Sequence, residues 1–231
     1  MRREITVVCI IALALLAPAC TVGSGEVVTE ARTVDGFTGI DLRGMGEVII
    51  TVDGTESLTI EAEDNIIDDL TSEVRSGTLI LGTDRPIRPT EDIIFTVTMQ
   101  ALEAIEISGS GAITVGEFST SGFEMDVSGS GAANVSDIVS DTVFARISGS
   151  GAISISGDTD ELDLSISGSG AFDGERLEAD TGEVNISGSG SATVNVSEDL
   201  EANISGSGNV EYLGNPNVSV DSSGSGNVSR R

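Results

Sequence analysis

The sequence lacks several residue types on which enzyme and metal sites depend. It contains no histidine, lysine or tryptophan, and all 11 basic residues are arginine. Without histidine, neither the Ser/His/Asp nor the Cys/His arrangement of nucleophilic catalysis can form, and a zinc site loses its nitrogen ligand. Aromatic residues that stack on sugars are also few, with six Phe and one Tyr. We therefore predict no catalytic residue, no metal-binding residue and no cofactor.

Positive charge is scarce as well. The 38 acidic residues outnumber the basic ones and give a formal net charge of −27. A chain this acidic repels phosphates instead of neutralising them, which excludes nucleic acid and the anionic face of a membrane as partners.

The two cysteines lie near the N-terminus. Arg2 and Arg3 precede an apolar run from Ile5 to Leu16 that contains Cys9, and three small residues follow before Cys20. This is the layout of a secretory signal over residues 1–19, and the run is shorter than the roughly 20 apolar residues that span a bilayer. The sequence therefore predicts an exported protein.

Cys20 is the predicted site of a lipid anchor. Ala17-Pro18-Ala19 before Cys20 resembles the lipobox of bacterial lipoproteins, although Pro18 departs from the usual residue there. The alternative is an ordinary signal peptide that is cleaved near Ala19. We favour lipidation, because Cys20 would be the single thiol of the mature chain and has no disulfide partner there. The prediction is a short tether over residues 20–27 and a lipid-anchored location at the bacterial cell envelope, on the outer membrane if the host is Gram-negative.

A four-residue motif repeats along the second half of the chain. Ser-Gly-Ser-Gly occurs seven times, with spacings of 18 to 20 residues. Apolar and polar residues alternate on both sides of each copy, which a flexible Gly/Ser linker would not encode. The residues directly before the first six copies are Ile107, Val127, Ile147, Ile166, Ile186 and Ile204.

This periodicity predicts an all-β fold, a single-stack parallel β-helix (β-solenoid) with coils of about 18–20 residues. Inward side chains of successive coils would form one continuous core. Three faces of five or six residues fit the coil length, and a two-faced solenoid is the alternative. If the chain stays extended through the motif, Gly109 and Gly111 point inward and the serines point outward, where their hydroxyls could form a ladder.

The part before the repeats also predicts strands, at 47–52, 57–62, 77–81 and 93–99. Residues 42–50 align with residues 107–115, including the two glycines of the motif. We therefore predict one solenoid over 28–231, with degenerate N-terminal coils at 28–101 that cap repeat coils at 102–231. Separate domains are the alternative.

These features resemble the head GIN domain family, which is described as auto-transporter adhesins. The resemblance covers nearly all of the predicted mature chain, through Phe37-Thr38-Gly39-Ile40, Ala62-Glu63-Asp64-Asn65, the segment 73–80 and the Ser-Gly-Ser-Gly ladder. It implies a solenoid at the envelope and no catalytic residues, and it makes adhesion a hypothesis, because one fold can host unrelated activities.

Clustered carboxylates leave two kinds of chemistry to consider. Paired acids such as Asp158, Asp160, Glu161 and Asp163 could serve glycoside cleavage, but acids that recur at outward positions in coil after coil are typical of a solvated face. Segments 137–141 and 158–161 could hold weak calcium, yet the repeat of calcium β-rolls is absent.

The sequence favours an envelope-tethered, non-catalytic surface, adhesion or scaffold module. Its partners would be the membrane, through the lipid, and another envelope or surface macromolecule. A carbohydrate-active solenoid enzyme and an envelope-signalling partner are the alternatives. The sequence leaves the oligomeric state open.

Overall fold

A computed structural model describes residues 20–231, and the predicted signal, with Cys9, lies outside them. The first strands are β1 Thr21–Val22, β2 Val27–Arg32, β3 Gly39–Gly44, β4 Glu47–Val52, β5 Ser57–Glu63, β6 Leu70–Arg75, β7 Thr78–Thr83, β8 Ile87–Arg88 and β9 Ile94–Met99. The repeats form β10 Ala104–Gly109, β11 Ala112–Val115, β12 Phe118–Gly129, β13 Ala132–Gly149, β14 Ala152–Gly168, β15 Ala171–Gly188, β16 Ser191–Gly206, β17 Asn209–Gly214, β18 Asn217–Gly224 and β19 Asn227–Arg230.

The described part is all-β. Its single helical element is a 3-10 turn at Ile67–Asp69. Within residues 20–231 no helix has the length and apolar character needed to cross a bilayer.

Successive repeats stack as parallel coils. The register places the first glycine of each motif beside the first glycine of the next, so that one coil takes 18 to 20 residues. These glycines are Gly109, Gly129, Gly149, Gly168, Gly188, Gly206 and Gly224. The predicted β-solenoid and its coil length are confirmed.

The core is a set of stacked apolar columns. The residues before the first six motifs, Ile107 to Ile204, are each at most 2% exposed. Burial of a large aliphatic side chain contributes about 1.5–3 kcal/mol, and here every coil repeats that contribution. In the coil of β13 the alternation of buried and exposed residues breaks at 136–137, 141–142 and 148–150. Three breaks in one coil give three faces.

The two glycines of each motif have different structural roles. Gly149, a first glycine, has φ +120°, and a Cβ there would lie 2.6 Å from the carbonyl oxygen of Gly129. Gly151, a second glycine, is buried, and its Cβ would lie 2.5 Å from Cγ1 of Val127. The prediction that both glycines point inward is therefore wrong for the first one, which turns the chain at the corner, and right for the second.

The corners are held by main-chain hydrogen bonds. Ser150 N donates to the carbonyl oxygen of Gly129 at 2.8 Å, and Ala152 N donates to that of Gly131 at 3.0 Å; the other coils repeat this pair. Between residues 20 and 231 no hydrogen bond joins the stacked motif serines, so the suggested hydroxyl ladder is wrong. The backbone already connects the coils there, which leaves the hydroxyls to solvent.

The first part of the chain closes one end of the stack. β3 and β4 form a coil in register with the repeats, with Leu42 beside Ile107 and Val48 beside Ile113. β7 and β9 add the next parallel layer beyond it. β6 then pairs antiparallel with β7, β5 with β9, and β2 with β5. Some of the segments expected as degenerate coils are thus antiparallel strands, which cover the last layer of apolar side chains.

Ala substitution should separate the corner glycines from the serines beside them. We expect Gly149→Ala to lower the free energy of unfolding by about 2 kcal/mol or more, because the new Cβ meets backbone and the residue must keep a positive φ. Ser148→Ala, at the neighbouring exposed position, should change it by less than about 0.5 kcal/mol. Chemical denaturation followed by circular dichroism measures both. Equal effects of the two substitutions would contradict this account of the corner.

Candidate functional site

One side of the solenoid carries a groove along the stacking direction, of about 600 Å³. We call it the serine–asparagine groove. The buried column Ile166, Ile186 and Ile204 lies beneath it, and most of its walls are neutral side chains. Those walls include Ser148, Ser165, Ser167, Asn185, Ser187, Asn203, Ser205 and Ser223.

The repeat builds this groove directly. Outward residues on either side of the inward isoleucine stand in two columns, one of motif serines and one of the residues two positions earlier. In the second column Asn203 Nδ2 donates to Asn185 Oδ1 at 3.2 Å, and Asn185 Nδ2 donates to Glu183 Oε1 at 2.8 Å. Side-chain amides thus stack along the solenoid. Arg146 and Asp221 stand at opposite ends of the groove, and the stretch between them carries no charge.

A second groove, of about 770 Å³, lies on another side and is lined by carboxylates. We call it the acidic groove. It contains Asp141, Asp158, Asp160, Glu178 and Asp180, all of them exposed. The predicted calcium segments 137–141 and 158–161 both contribute to it. Within the part of the chain that the structure describes, no three His, Cys, Asp or Glu residues are arranged to hold a metal ion.

The two carboxyl groups whose pKa is raised do not form a glycosidase pair with each other. Burial raises the pKa of Glu106 and of Asp163, the direction that a general acid requires. However, the two residues stand three coils apart, from β10 to β14, which separates them by about 14 Å. Glycosidase carboxyl groups stand only about 5–9.5 Å apart.

A short column of acids crosses the first coils of the repeat region. Asp41, Glu106 and Asp126 lie side by side on adjacent strands. Asp41 is only 3% exposed, and its Oδ2 accepts a hydrogen bond from Arg43 Nε at 2.7 Å, while its Oδ1 has no partner. The pKa of Glu106 is raised first by burial and then by the charges of Asp41 and Asp126.

Cys20, the predicted lipidation site, is exposed and free. It lies directly before β1, which pairs with β8: Thr21 N donates to the carbonyl oxygen of Pro86 at 3.2 Å, and Gly23 N donates to that of Arg88 at 3.0 Å. Cys20 therefore lies at the end of the stack that the antiparallel strands close.

Glu63 fastens the segment that follows Cys20. This carboxylate is 1% exposed and accepts hydrogen bonds from Gly25 N at 2.7 Å and from the amide and hydroxyl of Thr90 at 2.9 and 2.5 Å. The Thr90 hydroxyl is the largest cause that lowers the pKa of Glu63. The predicted tether, residues 20–27, thus lies hydrogen-bonded against the closed end.

Comparison with known families adds to this geometry. A family model described as "Putative auto-transporter adhesin, head GIN domain" matches residues 36–216. The chain belongs to this family. The match covers β3 through β17, so the head GIN domain includes the capping strands β5 and β6 and most of the repeat coils. Among curated proteins no match is found.

Solved structures share the fold. A protein of Bacteroides fragilis described as "a putative adhesin" superimposes with a TM-score of 0.86 at 24% identity, over 91% of this chain and 99% of its own. A "Putative lipid binding protein" of Parabacteroides distasonis gives 0.78 at 23%, over 92% and 100%. A "putative adhesin" of Parabacteroides merdae gives 0.72 at 21%, over 93% and 100%. At these identities the likeness shows the solenoid fold.

Sequence reasoning missed two features of this head GIN domain. It did not single out the serine–asparagine groove, although the neutral outward columns that line it are readable in the repeat. It also gave no role to Glu63, whose partners Gly25 and Thr90 lie 38 and 27 residues away along the chain. A lone Glu within a strand carries no local signal for such distant contacts.

Glu106→Gln should stabilise the domain at neutral pH. The folded protein holds the Glu106 proton more tightly than the unfolded chain, so ionisation of Glu106 lowers stability as the pH rises from its ordinary pKa of 4.5 through the raised value. A neutral Gln removes the repulsion and brings a donor beside Asp41. We expect a gain of about 0.5–1 kcal/mol at pH 7, the size of a cross-strand charge effect, which fades below pH 4.5.

The control for this prediction is Glu117→Gln, which removes one charge at an exposed position outside the column. Urea denaturation at pH 4 and pH 7 compares the variants. A gain for Glu106→Gln that is the same at both pH values, or that Glu117→Gln matches, would show that the acid column does not cause it.

Proposed function

We propose that this head GIN domain is a non-catalytic, adhesin-like module that a lipid on Cys20 holds at the bacterial cell envelope. Its serine–asparagine groove is the surface that contacts another envelope or surface macromolecule. In a Gram-negative host the anchor lies in the outer membrane, since Thr21 is not the Asp that marks retention at the inner membrane.

The observation that carries the contact surface is the regularity of the groove. Hydroxyl and amide groups repeat about every 4.8 Å, the spacing of adjacent strands, along several coils. An elongated polar molecule can hydrogen-bond to such a surface at many equivalent points, and these weak bonds add up. Because the groove carries no charged side chain between Arg146 and Asp221, it favours a partner whose contacting segment is neutral over one whose contacting segment is charged.

The position of Cys20 supports the anchoring. Because the chain enters β1 one residue after Cys20, and Glu63 fixes the following turn, a lipid there would bring the closed end against the membrane. The grooves would then run away from the bilayer, where a partner can reach them. The family's description as adhesins agrees with a module that acts at the surface.

Intact mass spectrometry tests the anchor. In protein purified from the membrane fraction of an expressing bacterium, we expect an N-terminal Cys20 that carries diacylglycerol. Cys20→Ala should abolish both this mass and the membrane association. An unlipidated wild-type chain in the medium would rule out the tethered form while leaving the groove unaffected.

The groove is tested by blocking it. We expect Ser187→Tyr, which places a bulky ring among the serine and asparagine columns, to weaken binding of residues 20–231 to the isolated envelope fraction of the producing bacterium at least about ten-fold, a loss of about 1.4 kcal/mol. Asn134→Tyr makes a comparable exposed change outside both grooves and should bind as wild type does. Biolayer interferometry measures the affinities. Equal binding by both variants would exclude the groove as the contact surface.

A further inference from the structure

Within residues 20–231, no segment covers the far end of the stack, opposite to Cys20. We call this the open end, formed by β18 and β19. Every residue of β18 is exposed, including Val218 at 37% and Val220 at 50%. Their counterparts one coil below, Leu200 and Ala202, are 1% and 0% exposed. In the described part of the chain, the inward apolar columns thus remain exposed at the open end.

The backbone of the open end is also unpaired on one side. β18 pairs with β16, and β19 pairs with β17, and no strand within residues 20–231 pairs with their outer edges. Folded proteins usually protect such edges with charges, proline or covering segments. Within β18 the single charged residue is Asp221. The closed end, by contrast, is covered by β2, β5 and β6.

The charge of the last coil indicates what kind of molecule can bind at the open end. Residues 209–231 contain two acidic side chains, Glu211 and Asp221, and two basic ones, Arg230 and Arg231, so that their charges cancel. The coil of residues 171–190 instead contains five acids and one arginine. In a chain of net charge −27, the open end is a surface on which two copies can meet without strong repulsion.

We propose that the open end binds the open end of a second copy, β18 against β18, about a two-fold axis. A two-fold contact uses the same strand twice, and the two strands then run antiparallel. In an antiparallel pair, side chains of directly opposite residues lie on the same face of the sheet. Val220 must therefore pair with a residue of the second copy that also points inward. Pairing Val220 with its own copy also pairs Val218 with Ser222 and includes residues 217–223.

Neighbouring registers of the β18–β18 pair would be less stable. A shift by one residue in the pairing would set Val220 opposite Asp221 and turn apolar side chains to the outside. A register centred on Asp221 would place two carboxylates opposite each other, which destabilises a strand pair. A register centred on Ser219 ends the ladder early, because it brings Pro216, which has no N–H, opposite Ser222.

This pairing has a consequence for adhesion that rests on the proposed function. Because Cys20 lies at the closed end, two copies joined by their open ends carry their anchors at opposite extremes of the dimer. Copies on two apposed membranes would then link those membranes. The pairing itself needs no lipid, so it is tested on residues 20–231 with Cys20→Ser, and its failure would leave the anchoring prediction standing.

Sedimentation velocity over a range of concentrations is the first test. We expect a concentration-dependent dimer for residues 20–231. Val220→Lys should raise the dimer dissociation constant at least ten-fold, because it sets two ammonium groups opposite each other. Val139→Lys makes the same charge change at a valine that is 56% exposed in the acidic groove, and should leave the dimer intact.

Cross-linking tests the register. In the Cys20→Ser background, Val220→Cys should form an intermolecular disulfide readily, since directly opposite Cα atoms lie about 4.5–5.5 Å apart, within disulfide range. Ser219→Cys should not, because its side chain lies on the other face of the strand and opposite Asp221. A chain that stays monomeric at all concentrations, filaments instead of dimers, or preferential cross-linking at residue 219 would each overturn the proposal.

Discussion

The main-chain hydrogen bonds at the glycine corners are the interaction on which this fold depends. The carbonyl oxygen of the first glycine in each of the first six motifs accepts a hydrogen bond from a serine amide of the next coil at 2.8 Å. The backbones are so close there that a Cβ on the first glycine of the next coil would not fit. These bonds fix the register, because the motif of one coil can lie only on the motif of the next. Once the corners are aligned, inward side chains form columns, and packing of those columns supplies the apolar core.

The same alignment decides what the outside can do. A residue that faces outward lies beside its counterpart in the next coil. When the repeats carry the same type of residue at that position, a column of like side chains forms along the stack. Neutral residues in one pair of columns produce the serine–asparagine groove, and acids in another produce the acidic groove. The repeats thus build extended surfaces, and the family to which the chain belongs is described as "Putative auto-transporter adhesin, head GIN domain".

A feature could be predicted from the sequence where it depends on residues that are close together along the chain or that repeat at a fixed spacing. The apolar columns and the coil length could be read directly, and the alignment of residues 42–50 with 107–115 anticipated the register of β3 and β4. The turn at the first glycine could not be predicted, because the alternation of apolar and polar residues in the sequence continues through Gly109. In the structure the positive φ of Gly109 interrupts that alternation. The antiparallel direction of β2, β5 and β6 and the contacts of Glu63 depend on partners far along the chain. The lipid on Cys20 remains a prediction.

Since each coil contacts only its two neighbours, its insertion or loss during evolution need not disturb either end. The length of the stack can then change in steps of about 4.8 Å while the closed end and the last strands stay the same. Unequal recombination between the repeated Ser-Gly-Ser-Gly motifs is one route to such a change in length. The uniform sequence of the corners, which the backbone contacts demand, is also what makes such exchange easy.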